Sequence, residues 1–272
     1  MLIKKVIKKI KPIYLFLLYI KINLINPAIS GHLWYYLRFL FTMKSSEIKK
    51  LKSKGFKKIK TFQPYTWRIG KGQDRAFRRY YLAWFNNTKC FIKIGKNDIT
   101  VANEAKIYAF IKDKALDFFA NCLFIDENFD DSTVMIANEF IEQLIPFTEI
   151  DQKSKFDIIC SEFFELLDKL ESLGIIHADI HKGNILTTPN NGIVLLDFGI
   201  SFFKGKEKRI NYNMRPGTFY INDEENNLRK YDDAYSFVKM IEGLDFPEEW
   251  LHSLEYNKIV ERIDGFSDWV QL

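Results

Sequence analysis

The chain has 272 residues, 47% hydrophobic and 28% charged, an ordinary globular composition able to bury a sizeable core as one large domain or two lobes. Its three cysteines, Cys90, Cys122 and Cys160, are far apart and in no C-x-x-C spacing. That speaks against a disulfide framework or a zinc site and for reduced thiols in a cytosolic protein. The net charge of +5 hides a split: residues 1–60 carry 15 Lys and Arg against Glu47 alone, a balance of +14, and residues 61–272 carry 25 against 34 Asp and Glu, a balance of −9.

In chain order, Lys4, Lys5, Lys8, Lys9 and Lys11 precede an apolar run over residues 13–20. Lys21 and Asn23 interrupt that run, so it falls short of the ~20 residues of a spanning helix. Residues 26–31 read as a turn rather than a signal-peptide cleavage site. An aromatic segment at residues 32–43 and a lysine-rich stretch at 44–60 follow. Basic residues beside Trp, Tyr, Phe and Leu suit an anionic membrane surface. Two short helices packed on the main domain, with solvated lysines, are the alternative. No nucleic-acid motif accompanies the charge, so no nucleic acid is expected.

Strands are predicted at residues 63–69 and 78–85 around a loop at 70–75, then a turn at 86–88 and a strand at 89–94. Val101, Ala105 and Tyr108 have helical spacing over residues 101–112. Strands at 123–126 and 133–140 follow, joined by a turn at 127–132. The pattern is a mostly antiparallel sheet with one helix. Residues 151–173 then read as a long amphipathic helix with Phe156, Ile159, Phe163, Leu166, Leu167 and Leu170 on one face and Gly174 as its C-cap. A further buried helix is expected at 231–241. The connection at 139–146 marks a boundary, giving an extension at 1–56 and two lobes at 57–141 and 142–272.

The densest chemistry lies at residues 176–201. His177-Ala-Asp179-Ile-His181-Lys182-Gly-Asn184 is an H-x-D-x-x-x-x-N pattern, and thirteen residues after Asn184 comes Asp197-Phe198-Gly199. The residue types are those that phosphoryl transfer needs: Asp179 to orient and deprotonate a hydroxyl, Asn184 and Asp197 to hold Mg²⁺ on phosphates.

Five strands with one inserted helix, a connection, a long helix and these two motifs resemble the protein-kinase-like fold over residues 60–245. The resemblance implies an α+β, two-lobed architecture, with a five-stranded antiparallel sheet and one helix in the first lobe and a reduced, mainly helical second lobe. It implies ATP and Mg²⁺ as cofactors. Lys93, in Cys90-Phe-Ile-Lys93-Ile-Gly95, stands where V-A-I-K has its phosphate-binding lysine. Its implied partner is Glu104, eleven residues on, a spacing closer to compact small-molecule kinases; Glu139 and Asp98 are poorer partners. Gly70, Lys71 and Gly72 match the start of a phosphate loop, with Arg75 at the third glycine position; an ordinary hairpin turn is the alternative. Glu139 and Ile141, in the connection, are counted with the nucleotide site.

His177 is read as structural. Ala178 stands where regulated protein kinases have Arg, so no activation-loop phosphate switch is expected. His181, two residues after Asp179, is the D-x-H-x-x-N form of sugar, aminoglycoside, choline and lipopolysaccharide-core kinases, and the hexapeptide from Asp179 to Asn184 is similar to the heptose kinases of that core. Residues 217–224 resemble a G-T-x-x-Y-x-A-P-E segment lacking its Ala-Pro, with a surface loop as the alternative. Asp233-Ala-Tyr-Ser236 resembles the element whose Asp braces the catalytic loop. The 36 residues after Ser236 leave no room for the helical substrate platform of protein kinases. The reading expected is a monomeric, cytoplasmic kinase for a sugar or glycolipid hydroxyl, at the inner face of the cell membrane. A Ser/Thr protein kinase is the alternative, and a pseudokinase binding module a third.

Overall fold

The structure is a computed structural model describing residues 44–68, 76–112, 114, 117–190, 192–205 and 219–271. The basic segment at 1–43, the Gly70-Lys71-Gly72 loop with Arg75, and Gly217-Thr218 lie outside the described residues. The chain divides into two units, residues 1–59 and 60–272. In the first, α1 (Lys44–Ser53) places Glu47 in its first turn and Lys50 and Lys52 in its last, as the helix dipole favours. Among the described residues, no helix is long and apolar enough to cross a membrane.

The five-stranded sheet has the order β1-β2-β3-β5-β4, formed by β1 (Lys57–Arg68), β2 (Ala76–Phe85), β3 (Thr88–Lys96), β4 (Cys122–Asp130) and β5 (Thr133–Glu139). β2 and β3 pair from Phe85↔Thr88 to Phe77↔Lys96 across a two-residue loop. In that loop, Asn86 (φ 47°) and Asn87 (φ 65°) take the left-handed conformation a tight hairpin needs and asparagine tolerates. Along β3, Cys90, Ile92 and Ile94 are buried on one face, which turns Phe91 and Lys93 to the other. At Gly95 an added Cβ would lie 2.7 Å from the Val101 side chain, so a glycine lets the following helix cross close to the strand.

That helix, α2 (Ile99–Ile111), starts two residues before its expected position because Asp98 caps it, accepting from Thr100 N at 3.0 Å. β4 likewise outruns the expected 123–126. Beyond β6 (Ile145–Pro146), α3 (Lys153–Leu173) buries the expected apolar face, and Gly174 (φ 67°) donates to Glu171 O and Leu170 O as its left-handed cap. Two small ladders frame the loop that follows: β7 (Ile175–Ile176) with β10 (Phe202–Phe203), and β6 with β8 (Ile185–Thr187) and β9 (Ile193–Leu195).

The helix expected at 231–241 is corrected at its start. Tyr231 and Asp232 end a strand, β12 (Leu228–Asp232), and α4 runs Asp233–Glu242. Asp232 forces the change by capping α4 through Tyr235 N at 2.8 Å. β12 sits between β11 (Ile221–Asp223) and β13 (Ser267–Gln271), with α5 (Leu254–Glu261) before β13. The apolar core joins α2, α3, α4, α5 and β5 into one cluster, in which Phe163 stacks on Phe237 with ring centroids 3.8 Å apart at 16°. Five α-helices and a five-stranded antiparallel sheet, among the described residues, make a mixed α/β architecture.

Phe163 is fully buried. Phe163→Ala should cost about 3–5 kcal/mol, read as a lowered urea midpoint. A loss under ~1 kcal/mol would mean the site collapses around the smaller side chain and the stack is not a keystone.

Candidate active site

A cleft of about 440 Å³ lies among β3, α2, β5 and the loops carrying the two motifs, lined by Lys93, Glu104, Asn184, Asp197 and the connection residues Glu139 and Ile141. Lys93 projects into it from the face of β3 opposite the buried isoleucines. Its Nζ lies 2.5 Å from Glu104 Oε2 on α2 and 3.4 Å from Asp197 Oδ1, with the Lys93 and Glu104 side chains only 11% and 3% exposed. Burial pulls the Lys93 ammonium down, but the Asp197 and Glu104 carboxylates outweigh it and hold the group above the usual lysine range. Lys93 therefore stays charged in a nearly dry setting.

Asp98, one of the poorer partners considered for Lys93, is engaged elsewhere. It forms a buried ion pair with Arg78 of β2 while capping α2. The cap itself was readable, since Asp before an apolar helical run is an N-cap signal; the pairing with Arg78 across 20 residues was not.

Asp197 sits at φ 62° and accepts from Gly199 N at 3.3 Å, turning the chain into a single 3₁₀ turn, Phe198–Ile200. Glycine suits position 199 because a Cβ would stand a crowded 3.0 Å from both Asp197 Oδ1 and Thr100 Cβ. Phe198 fills the core behind the turn, meeting the rings of Tyr108, Phe119 and His177 edge-on.

The loop from His177 to Asn184 is held by its backbone. Asp233, buried at the start of α4, accepts from His177 N at 2.7 Å and Ala178 N at 2.9 Å. These two bonds fix Ala178 at φ 61°, a costly conformation for a residue with a Cβ. Burial pushes the Asp233 carboxyl up to about 7 against the opposing pull of those bonds. His177 is wholly buried. Its Nδ1 accepts from Asp179 N at 3.3 Å, so Nε2 carries the proton and donates to Leu196 O at 3.1 Å. Burial lowers this imidazole to about 4, keeping it neutral.

At the end of that loop, Asn184 Nδ2 donates to Asp179 O at 3.0 Å and Asp179 Oδ2 at 3.1 Å. His181 Nδ1 accepts from Gly183 N at 3.0 Å, which leaves its proton on Nε2, 3.8 Å from Asp179 Oδ1. That separation is too long for a hydrogen bond but close enough for the imidazole to lie beside whatever Asp179 engages. Lys93, Glu104, Asp179, His181, Asn184 and Asp197 thus converge. Lys182 is exposed, and Glu139 lines the cleft while accepting from Asn121 Nδ2 at 2.9 Å.

Three aromatic residues also line the cleft and were not singled out from the sequence. Phe91 stacks with Tyr80 (5.4 Å, 23°) and meets Phe62 edge-on (5.4 Å, 88°). The same alternation that turned Lys93 into the cleft turns Phe91 there, so the signal was present in the strand period.

Over residues 132–230 the chain matches the ABC1 atypical kinase-like domain. Serine/threonine-protein kinase 10 of Danio rerio is 29% identical over an alignment of 179 residues that covers 60% of this chain and 18% of that protein. Both matches are to kinase-like proteins. They support placing the chain in the protein-kinase-like superfamily. Neither supports the heptose-kinase branch.

The residues fit Mg²⁺ bound together with phosphates. Among the described residues no cluster of three or more His, Cys, Asp or Glu could form an all-protein cage. Mg²⁺ in phosphoryl-transfer sites instead takes one or two protein oxygens and completes its shell with phosphate and water. Asn184, whose amide nitrogen is committed to Asp179, has its side-chain oxygen to offer beside the Asp197 carboxylate.

The buried neutral His177 gives a pH prediction with a definite sign. Its imidazole at about 4 when folded, against 6.5 unperturbed, means the unfolded chain binds the extra proton between those values. Its contribution to stability is therefore lost as pH falls from 6.5 towards 4. Urea unfolding should show a stability gap between wild type and His177→Gln that narrows from pH 7 to pH 5. A gap that stays constant would mean the ring titrates normally.

Proposed function

We propose that the protein is an ATP- and Mg²⁺-dependent phosphotransferase that moves the γ-phosphate of ATP to an alcohol. The observation that carries this reading is the Lys93 ammonium held between Glu104 and Asp197 at the wall of the cleft. A buried cation whose two neighbours are carboxylates is set to receive the phosphate oxygens of a nucleotide that enters beside it. Mg²⁺, held by Asn184 and Asp197, would neutralise charge on the phosphates. Asp179 would orient the acceptor hydroxyl and take its proton, with Asn184 fixing the Asp179 carboxylate through the 3.1 Å bond. Phe62, Tyr80 and Phe91 would cover the base, and Glu139 to Ile141 would supply backbone at its edge. Most of the acceleration would then come from positioning and charge stabilisation.

For the acceptor we favour a hydroxyl of a sugar or glycolipid, such as the lipopolysaccharide core. What favours it is His181 beside Asp179, where D-x-K-x-x-N enzymes place a lysine. With Nδ1 taken by Gly183 N, the imidazole presents Nε2–H as a directional hydrogen-bond donor where those enzymes present an ammonium. A Ser/Thr protein kinase is the second reading, favoured by the similarity to the zebrafish kinase and by Asp233 beneath the loop. Incubation with γ-labelled ATP and either generic proteins or lipopolysaccharide-type acceptors separates them: labelled glycan supports the first, labelled protein alone removes it.

Asp179→Asn and Lys93→Met should each lower turnover by about 10²–10⁴-fold while urea unfolding stays cooperative. Turnover within about threefold of wild type in both would contradict these roles and favour a binding module. We also place the enzyme at the cytoplasmic face of an anionic membrane through its basic first segment. Replacing Lys4, Lys5, Lys8, Lys9 and Lys11 with Gln in the full chain should abolish co-sedimentation with phosphatidylserine vesicles. Unchanged co-sedimentation would remove that proposal.

A further inference from the structure

α2 supplies more than Glu104. Asn103, the residue before it, turns its side-chain amide to the segment after Asp197, with Nδ2 2.7 Å from Ser201 O and 3.3 Å from both Phe198 O and Gly199 O. An amide nitrogen carries two hydrogens, so the short contact takes one and the two longer contacts share the other. Of the carbonyls it reaches, Phe198 O also closes the 3₁₀ turn, accepting from Ser201 N at 3.2 Å. The turn is therefore stitched to α2 by a side chain outside it as well as by its own backbone.

The same helix is fixed at its start. Asp98 caps it and pairs with Arg78, and a Cβ at Gly199 would stand only 3.0 Å from Thr100 Cβ. Asp197 opens the turn that Asn103 grips, and its own carboxylate reaches Lys93 at 3.4 Å. We infer that Asn103 is a positioning residue that locks the Asp197 turn to α2, so that the metal-holding carboxylate and the Lys93–Glu104 pair move as one body. α2 cannot swing out without breaking the clasp and exposing three carbonyls. The site is thus preset, in keeping with Ala178 in place of an arginine that would answer to a phosphorylated loop. The consequence for turnover rests on the phosphotransfer reading above; the clasp itself does not.

The test uses the full chain as wild type, Asn103→Leu (similar volume, no donor) and Asn103→Ser (smaller, in case the leucine variant folds poorly). Amide hydrogen exchange in the nucleotide-free proteins should rise about tenfold over residues 197–203 in both variants, with α3 unchanged. The Mg²⁺ concentration for half-maximal ATP turnover should rise several-fold, while ATP affinity measured in EDTA stays at the wild-type value. Unchanged exchange over 197–203, or an equal rise in α3, overturns the clasp, as does a loss of ATP affinity in EDTA with no change in the Mg²⁺ requirement. If the wild type turns over no ATP, the phosphotransfer reading falls, and the exchange measurement still decides whether Asn103 holds the turn.

Discussion

One buried ammonium sets the terms for this molecule. Lys93 is carried by a central strand whose other face is core, and so close to dry protein its charge survives only with carboxylates beside it. That requirement brings α2 against β3, because Glu104 must reach Nζ, and it brings the Asp197 turn to the same point. The glycines follow from those approaches: Gly95 where α2 crosses the strand, Gly199 where the turn meets Thr100.

The second constraint is backbone conformation. Ala178 and Asp197 both lie in the left-handed region, one near each end of the segment that carries the two motifs, and each is held by a carboxylate that accepts from the backbone. Asp233 serves the first and Asp197 its own turn. His177 links the two, since it donates to Leu196 O, next to Asp197, and accepts from Asp179 N. The segment from His177 to Gly199 is thereby tied down largely through its own backbone groups, with the buried Asp233 and His177 as anchors.

The legible parts of the fold were those with short-range causes. α3 was readable from its apolar stripe and Gly174, the β2–β3 hairpin from Asn86-Asn87, and the convergence of Lys93, Glu104, Asp179, Asn184 and Asp197 from motif spacing. What escaped depends on partners distant in sequence. β13 is five residues with no strong alternation and becomes a strand only by pairing with β12. Tyr231 and Asp232 continue the helical spacing of α4 yet are claimed by that same sheet. Arg78 and Asn103 are ordinary polar residues by local pattern, and only the packed structure gives them Asp98 and the carbonyls after Asp197. The matches to known proteins support the kinase-like reading, whereas the glycan acceptor rests on His181 and remains a proposal.

On the proposed function, Lys93, Glu104 and Asp197 form a preset site for Mg²⁺-bound ATP. Calorimetric titration of ATP into the full chain, with Mg²⁺ and with EDTA, for wild type and Glu104→Gln, tests it most directly. Wild type should bind saturably with Mg²⁺ strengthening the binding, and binding should be at least about tenfold weaker when Glu104 loses its charge and Lys93 its partner. Wild-type binding indifferent to Mg²⁺, or a Glu104→Gln protein that binds as well as wild type, would contradict it.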